Sequence, residues 1–237
     1  MGAAAKIGIP LTYRALVLFD IDGTLVRRAG PHHRRALVEG VRRVTGLDTT
    51  TEGIPLHGML DPDILTRMLR AAGAPPPFIR KSMPAIIRAA ERHYLRTCPT
   101  LLDARCPGVE PLLERLARRG FLLGLVTGNL TRIGWRKLQR AALRGFFQFG
   151  AFGEMAPTRA GLAKMAIREA RGRAWISRDA PISLVGDAPA DILAARANRI
   201  RAISVRTGVT PVAELASLAP DFLLPNLRAL RLRMVEA

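Results

Sequence analysis

The 237 residues allow one large domain or a core with a smaller insert, and a hydrophobic share of 49% is ample for a packed interior. No apolar run approaches the ~18–20 residues that a bilayer span needs, so no membrane span is expected. Lysine and arginine number 37 against 19 aspartate and glutamate, a net charge of +18, but the bases are spread along the chain and aromatics are only 5%, which argues against specific nucleic-acid recognition. The stretch before Pro10 carries one lysine and no proper apolar segment, so it does not read as a secretory signal. Lys6 stands where a myristoylation pattern wants Ser or Thr. Cys98 and Cys106 are too far apart for a CxxC unit, and two free thiols in a cytoplasmic protein are expected.

In chain order, Leu16-Val17-Leu18-Phe19 reads as a buried parallel strand. It runs into Asp20-Ile21-Asp22-Gly23-Thr24-Leu25, with two carboxylates spaced to fall on one side and a glycine that lets the backbone turn away. A helix follows over about 31–44. Asp61-Pro62 reads as a helix cap followed by proline at the first helical position, opening a helix with Ile64, Leu65, Met68 and Leu69. A further helix runs over about 78–97, bent or restarted at Pro84. Residues 29–104 thus form a helical block without a strand, which predicts a helical domain inserted into an α/β core made of 1–28 and 105–237.

The α/β pattern resumes with a helix carrying Leu112, Leu113 and Leu116. An apolar strand over 121–126 leads into Thr127-Gly128-Asn129. The basic helix over 132–143 reads as a solvated face. An apolar segment at 146–152, a helix with Leu162, Met165 and Ala166, and a strand ending in Gly186-Asp187 follow. Pro189-Ala190-Asp191 opens the next helix. Strands at 202–205 and 222–224 and a short helix over 226–234 close the chain. Strand, helix, strand with short links predicts a Rossmann-like, mostly parallel sheet.

Three strand ends carry polar groups: Asp20 with Asp22, Thr127-Gly128-Asn129, and Asp187. A parallel sheet turns all three to one edge. Converging carboxylates repel, and a hard divalent cation relieves the repulsion; Mg²⁺ suits a site with few protein oxygens, water and a substrate phosphate. Thr127 with the backbone N–H groups of Gly128 and Asn129 makes an oxyanion cradle, and a basic residue from the helix beginning near Thr158 can complete it.

The order Phe19-Asp20-Ile21-Asp22-Gly23-Thr24-Leu25, then Val126-Thr127-Gly128-Asn129, then a basic residue, then Val185-Gly186-Asp187-Ala188-Pro189-Ala190-Asp191 resembles the haloacid dehalogenase superfamily. The helical insert after the first motif resembles its phosphoglycolate-phosphatase-like members with an α-helical cap. The resemblance implies that Asp20 is a nucleophile forming an aspartyl-phosphate and that Asp22 is the acid and base. It implies Mg²⁺ held by Asp20, the backbone carbonyl of Asp22, and Asp187, with Asp191 as support or an additional acid. Thr127, Gly128 and Asn129 then bind the phosphoryl group. The basic position, usually lysine, falls to Arg159, with Lys164 as runner-up; arginine is not a neutral swap there. An acid at Asp22 favours phosphoryl transfer over carbon–halogen hydrolysis.

The expected function is a Mg²⁺-dependent phosphatase for a small phosphorylated metabolite, phosphoglycolate-like or a sugar phosphate, acting as monomer or homodimer. The alternatives are a phosphosugar mutase of the same family and a non-enzymatic polyanion-binding protein on this scaffold. Asp191 has a helix cap as its alternative reading, His57 and Asp61 are candidates to face the substrate, His32-His33 reads as a solvent-exposed pair, and Trp135 and Trp175 as packing or surface residues.

Overall fold

The computed structural model describes residues 12–27 and 30–236. The readings of the first ten residues, and the domain boundary at 28–29, lie outside the described residues. Six strands form one sheet: β1 (Leu16–Phe19), β2 (Leu122–Val126), β3 (Phe149–Ala151), β4 (Ile182–Gly186), β5 (Arg201–Val205) and β6 (Phe222–Leu224). Their order is β3-β2-β1-β4-β5-β6, and every pairing is parallel. β1 lies at the centre, with Leu16 in register with Leu122 on one side and Ile182 on the other. The chain winds outward from β1 through β2 and β3, then returns to the opposite side at β4, so the topological switch point lies between β1 and β4.

The apolar runs of β1, β2 and β4 are buried at every position, as strands covered on both faces must be. Val17, Phe19, Leu123 and Leu125 point into a layer filled by α4 (Val109–Arg118) and α5 (Thr131–Arg140). Leu16, Leu18, Leu122 and Leu184 point into the other layer, filled by α6 (Arg159–Gly172) and α7 (Pro189–Ala197).

Between β1 and α4 the chain forms α1 (His32–Thr45), α2 (Asp61–Ala71) and α3 (Pro76–Thr97). Ala36 and Val41 of α1, Leu65 and Met68 of α2, and Ile86, Ala90 and Tyr94 of α3 are buried in the same continuous interior as α4 and α5. α3 runs unbroken through Pro84. The proline deletes one N–H, and the buried side chains before and after it hold the helix together.

Two local expectations need correction. The tail is not one helix: a single 3₁₀ turn at Leu227–Ala229 precedes the short α9 (Arg233–Glu236), each buried by one or two apolar side chains. A further helix, α8 (Val212–Ser217), buries only Leu215, too little periodicity to show in the sequence. Cys98 and Cys106 are both buried and free. Among the described residues, no helix is long and apolar enough to cross a membrane.

Candidate active site

Asp20 extends the β1 ladder by one step, its N–H bonding to the Val185 carbonyl at 3.0 Å. The chain then curls: the N–H groups of Leu25 and Val26 both return to the Ile21 carbonyl at 2.9 Å. Gly23 makes the curl possible at φ 82°, and a Cβ there would land on the Asp187 carboxylate. Asp20 faces Arg159 on α6, and Asp22 faces Lys137 on α5.

Arg159 is the first residue of α6, set by Thr158, whose hydroxyl caps the helix by accepting from the Gly161 N–H at 3.1 Å. Its Nη1 lies 3.0 Å from Asp20 Oδ1 and 2.7 Å from Asp191 Oδ1. Burial disfavours the guanidinium charge, but Asp191 and Asp20 outweigh it and hold the proton more firmly than usual. Lys164 lies on the exposed face of α6, outside this cluster.

Carboxylate oxygens of Asp20, Asp187 and Asp191 lie within 4.8 Å of one another, all three residues buried. Asp187 Oδ1 accepts from the Thr24 hydroxyl at 3.1 Å, while its buried Oδ2 has no hydrogen-bond partner among the described residues. Burial, then the charges of Asp20 and Asp191, push Asp187 well above the ordinary carboxylate range. Burial likewise raises Asp191 to about 7, against the pull of Arg159. Asp191 also accepts from the Ala188 N–H at 3.1 Å, so it both caps α7 and anchors Arg159. Such a set of hard oxygen donors can hold a divalent cation.

The turn after β2 supplies the facing wall. Thr127 Oγ1 accepts from Asn129 Nδ2 at 2.7 Å, leaving its own proton to donate elsewhere. A Cβ at Gly128 would land on the Met59 carbonyl oxygen, so only glycine lets the segment 51–60 settle there. His57 in that segment lies 2.6 Å from the Thr210 hydroxyl and 3.6 Å from Asp187 Oδ2. Burial lowers its affinity for a proton. Asp20, Asp22, His57, Thr127, Gly128 and Arg159 are among the residues lining a cavity of about 740 Å³.

Three residues of the cavity wall are corrections to the sequence reading. Lys137 is not on a solvated face: it is fully buried, with Nζ 2.8 and 2.6 Å from the two carboxylate oxygens of Asp22. His33 is not solvent-exposed: its Nδ1 lies 3.1 Å from Lys137 Nζ and its Nε2 2.9 Å from Asp61 Oδ2. Asp61 does not cap α2, since Leu60 holds the cap position; its carboxylate instead accepts from the Leu130 N–H at 2.8 Å, ahead of α5. The signal for Lys137 was its place four residues after Ile133 and next to Leu138, on the buried stripe of α5. Burial raises Asp22, and the charge of Lys137 with the Lys137 and Asn129 hydrogen bonds more than reverses it, leaving Asp22 below its ordinary value.

Trp135 tilts against Phe152 under the Arg144 guanidinium, and Trp175 packs on Phe149, so both tryptophans serve packing.

Comparison with known proteins gives a consistent outcome. A family model described as haloacid dehalogenase-like hydrolase matches residues 15–198. A plasmid-borne phosphoglycolate phosphatase of Cupriavidus necator is 28% identical over 240 residues, covering 95% of this chain and 94% of the relative. A phosphoglycolate phosphatase of Synechococcus elongatus is 32% identical over 119 residues, 50% of this chain and 53% of the relative. The crystal structure of CbbY from Rhodobacter sphaeroides in complex with phosphate superposes with a TM-score of 0.70 at 20% identity, covering 95% of this chain and 100% of that one.

Proposed function

The chain belongs to the haloacid dehalogenase-like hydrolase family, and from that premise we propose that it is a Mg²⁺-dependent phosphatase of small phosphate monoesters, working through an aspartyl-phosphate on Asp20. The observation that carries this reading is the seat of Asp20: an oxygen nucleophile lining the cavity, gripped by Arg159 and flanked by Asp187 and Asp191. Two relatives named phosphoglycolate phosphatase support a small phosphomonoester as substrate.

The donor set fits Mg²⁺, because three buried carboxylates converge and Asp187 Oδ2 has no partner among the described residues. Asp20, the backbone carbonyl of Asp22, and Asp187 would hold the ion, with Asp191 steadying the cluster through Arg159. When bound, the ion neutralises the carboxylates and the phosphoryl oxygens.

The protein's own groups do the rest. Arg159 and the Thr127 hydroxyl, with the backbone of Gly128 and Asn129, orient the phosphoryl oxygens. Asp20 attacks phosphorus, the bond to the leaving oxygen breaks, and Asp22, whose hold on a proton the negative charge of the bound substrate raises, gives that oxygen a proton. A water then attacks the aspartyl-phosphate, losing its proton to the Asp22 carboxylate, which frees phosphate and restores Asp20. Residues 29–104 act as a cap over the site; the seating of the 51–60 segment on Gly128 supports that division. The cap excludes water and selects the leaving group. A cytoplasmic location belongs to the same reading, supported by two buried free thiols.

The test is phosphate release from a panel of small phosphoesters with and without Mg²⁺, beside Asp20→Asn. Mg²⁺-dependent release lost in a folded Asp20→Asn protein is expected. An active, folded Asp20→Asn protein would overturn the assignment. Isomerised sugar phosphate in place of free phosphate would make the protein a mutase, and no reaction with any ester would turn attention to polyanion binding.

A further inference from the structure

Lys137 is the one lysine of α5, and it is fully buried beside the cavity. Its ammonium has three protons and finds three kinds of acceptor: the Asp22 carboxylate, Asn129 Oδ1 at 2.6 Å and His33 Nδ1 at 3.1 Å. A lysine so saturated has no proton left for a substrate. Accepting at Nδ1 makes His33 a donor at Nε2, toward Asp61 Oδ2 at 2.9 Å. The Asp22 side chain needs such a holder, because it stands beyond the end of β1, where the backbone makes only an isolated bridge to Val26. Its carboxylate is held only by Lys137 and by Asn129 Nδ2, the latter at 2.8 Å, among the described residues.

We propose that Lys137 is the positioning residue for Asp22, aiming its carboxyl at the leaving-group oxygen, and that His33 from α1 completes the seat of Lys137. The proposal rests on the reading of Asp22 as acid and base. It makes proton transfer, and not phosphoryl binding, the step that depends on Lys137. It also ties that step to the docking of α1 and α2 on the core, since His33 and Asp61 belong to those helices.

The discriminating measurement compares leaving groups. An alkyl phosphate needs a proton on departure, whereas dinitrophenyl phosphate leaves as a stable anion. In Lys137→Met, kcat for the alkyl phosphate should fall on the order of 100-fold with KM within about threefold, the size expected for misplaced acid–base catalysis. Single-turnover release of dinitrophenolate by the same variant should stay within about threefold of wild type, because no proton is required. Equal losses on both substrates, or none on either, would overturn the proposal.

His33→Leu keeps the Asp22–Lys137 pair and removes the Nδ1 acceptor together with the Nε2 contact to Asp61. It should show the same selectivity at about tenfold, and it decides the matter if Lys137→Met does not fold. A folded His33→Leu protein without that selectivity counts against the proposal. Asp20→Asn separates the two failures: if it stays active, the phosphatase reading itself falls. If it is dead while Lys137→Met ignores the leaving group, only the role of Lys137 falls.

Discussion

Asp61 Oδ2 accepts the backbone N–H of Leu130 across 2.8 Å, joining the first residue of α2 to the chain entering α5. The next two N–H groups are taken the same way, Thr131 by Glu154 and Arg132 by Glu91 of α3. Three N–H groups at the N-terminus of α5 are therefore taken by carboxylates and are not offered to a phosphate. This N-terminus is a docking point where α2 and α3 grip the core.

Asp61→Ala should leave the buried Leu130 N–H and the His33 Nε2 proton unpaired, costing about 1–3 kcal/mol. Denaturant unfolding measures that cost. A variant as stable as wild type would show that the contact holds nothing.

Arg159→Met should be the most damaging change in the cluster, because it leaves Asp20, Asp187 and Asp191 without their guanidinium. Breaking a buried pair of this kind costs about 3–5 kcal/mol. Melting in the presence of a chelator should show the loss, and Mg²⁺ should restore part of it by replacing the missing positive charge. A loss that Mg²⁺ leaves unchanged would argue that Arg159 serves packing alone.

The pH dependence of the chelated protein follows from the same cluster. Asp191 rises from 3.8 to about 7 on folding, so the folded state holds its proton where the unfolded state has released it. Its contribution to stability is present below the unfolded value and is lost as pH climbs to about 7. Asp187 acts in the same direction. His57, lowered by burial, acts in the opposite direction, and Asp22 acts oppositely at lower pH, so the raw profile mixes them. The cleaner quantity is the rise in melting temperature on adding Mg²⁺. It should grow from about pH 5 to about pH 8 as metal replaces protons on these carboxylates. A constant rise would exclude metal binding at this cluster.

The sheet was legible because parallel strands covered on both faces must be continuous apolar runs, and Leu16–Phe19, Leu122–Val126 and Ile182–Gly186 are such runs. Asp20, Thr127 and Asp187 were legible because a polar residue at the end of such a run has only one edge to face. Lys137 and His33 were hidden by composition. Each stands among neighbouring arginines, and only its spacing from Ile133 or Leu37 sets it on the buried side. Asp61 was hidden by a competing local explanation, since Asp before Pro is a good helix opening wherever it occurs. That Asp20 meets Arg159 while Asp22 meets Lys137 could not be read from period-two spacing, because the strand stops at Phe19, before either acid.

Gly128→Ala tests whether the 51–60 segment must lie on the β2 turn for turnover. The added methyl would meet the Met59 carbonyl, and backbone on both sides leaves little room to yield. The segment should lift, breaking the bond from the Asp61 N–H to the Gly128 carbonyl, now 2.8 Å. Because the cavity loses its cover while Asp20 and Arg159 keep their places, KM should rise about tenfold or more, with a loss of about 1–3 kcal/mol in stability. Gly172→Ala is the control: nothing lies within 4 Å of its Cβ position at the end of α6, so it should be neutral or slightly stabilising. If Gly128→Ala keeps wild-type KM and protease resistance in the 51–60 segment, the segment does not need this seat.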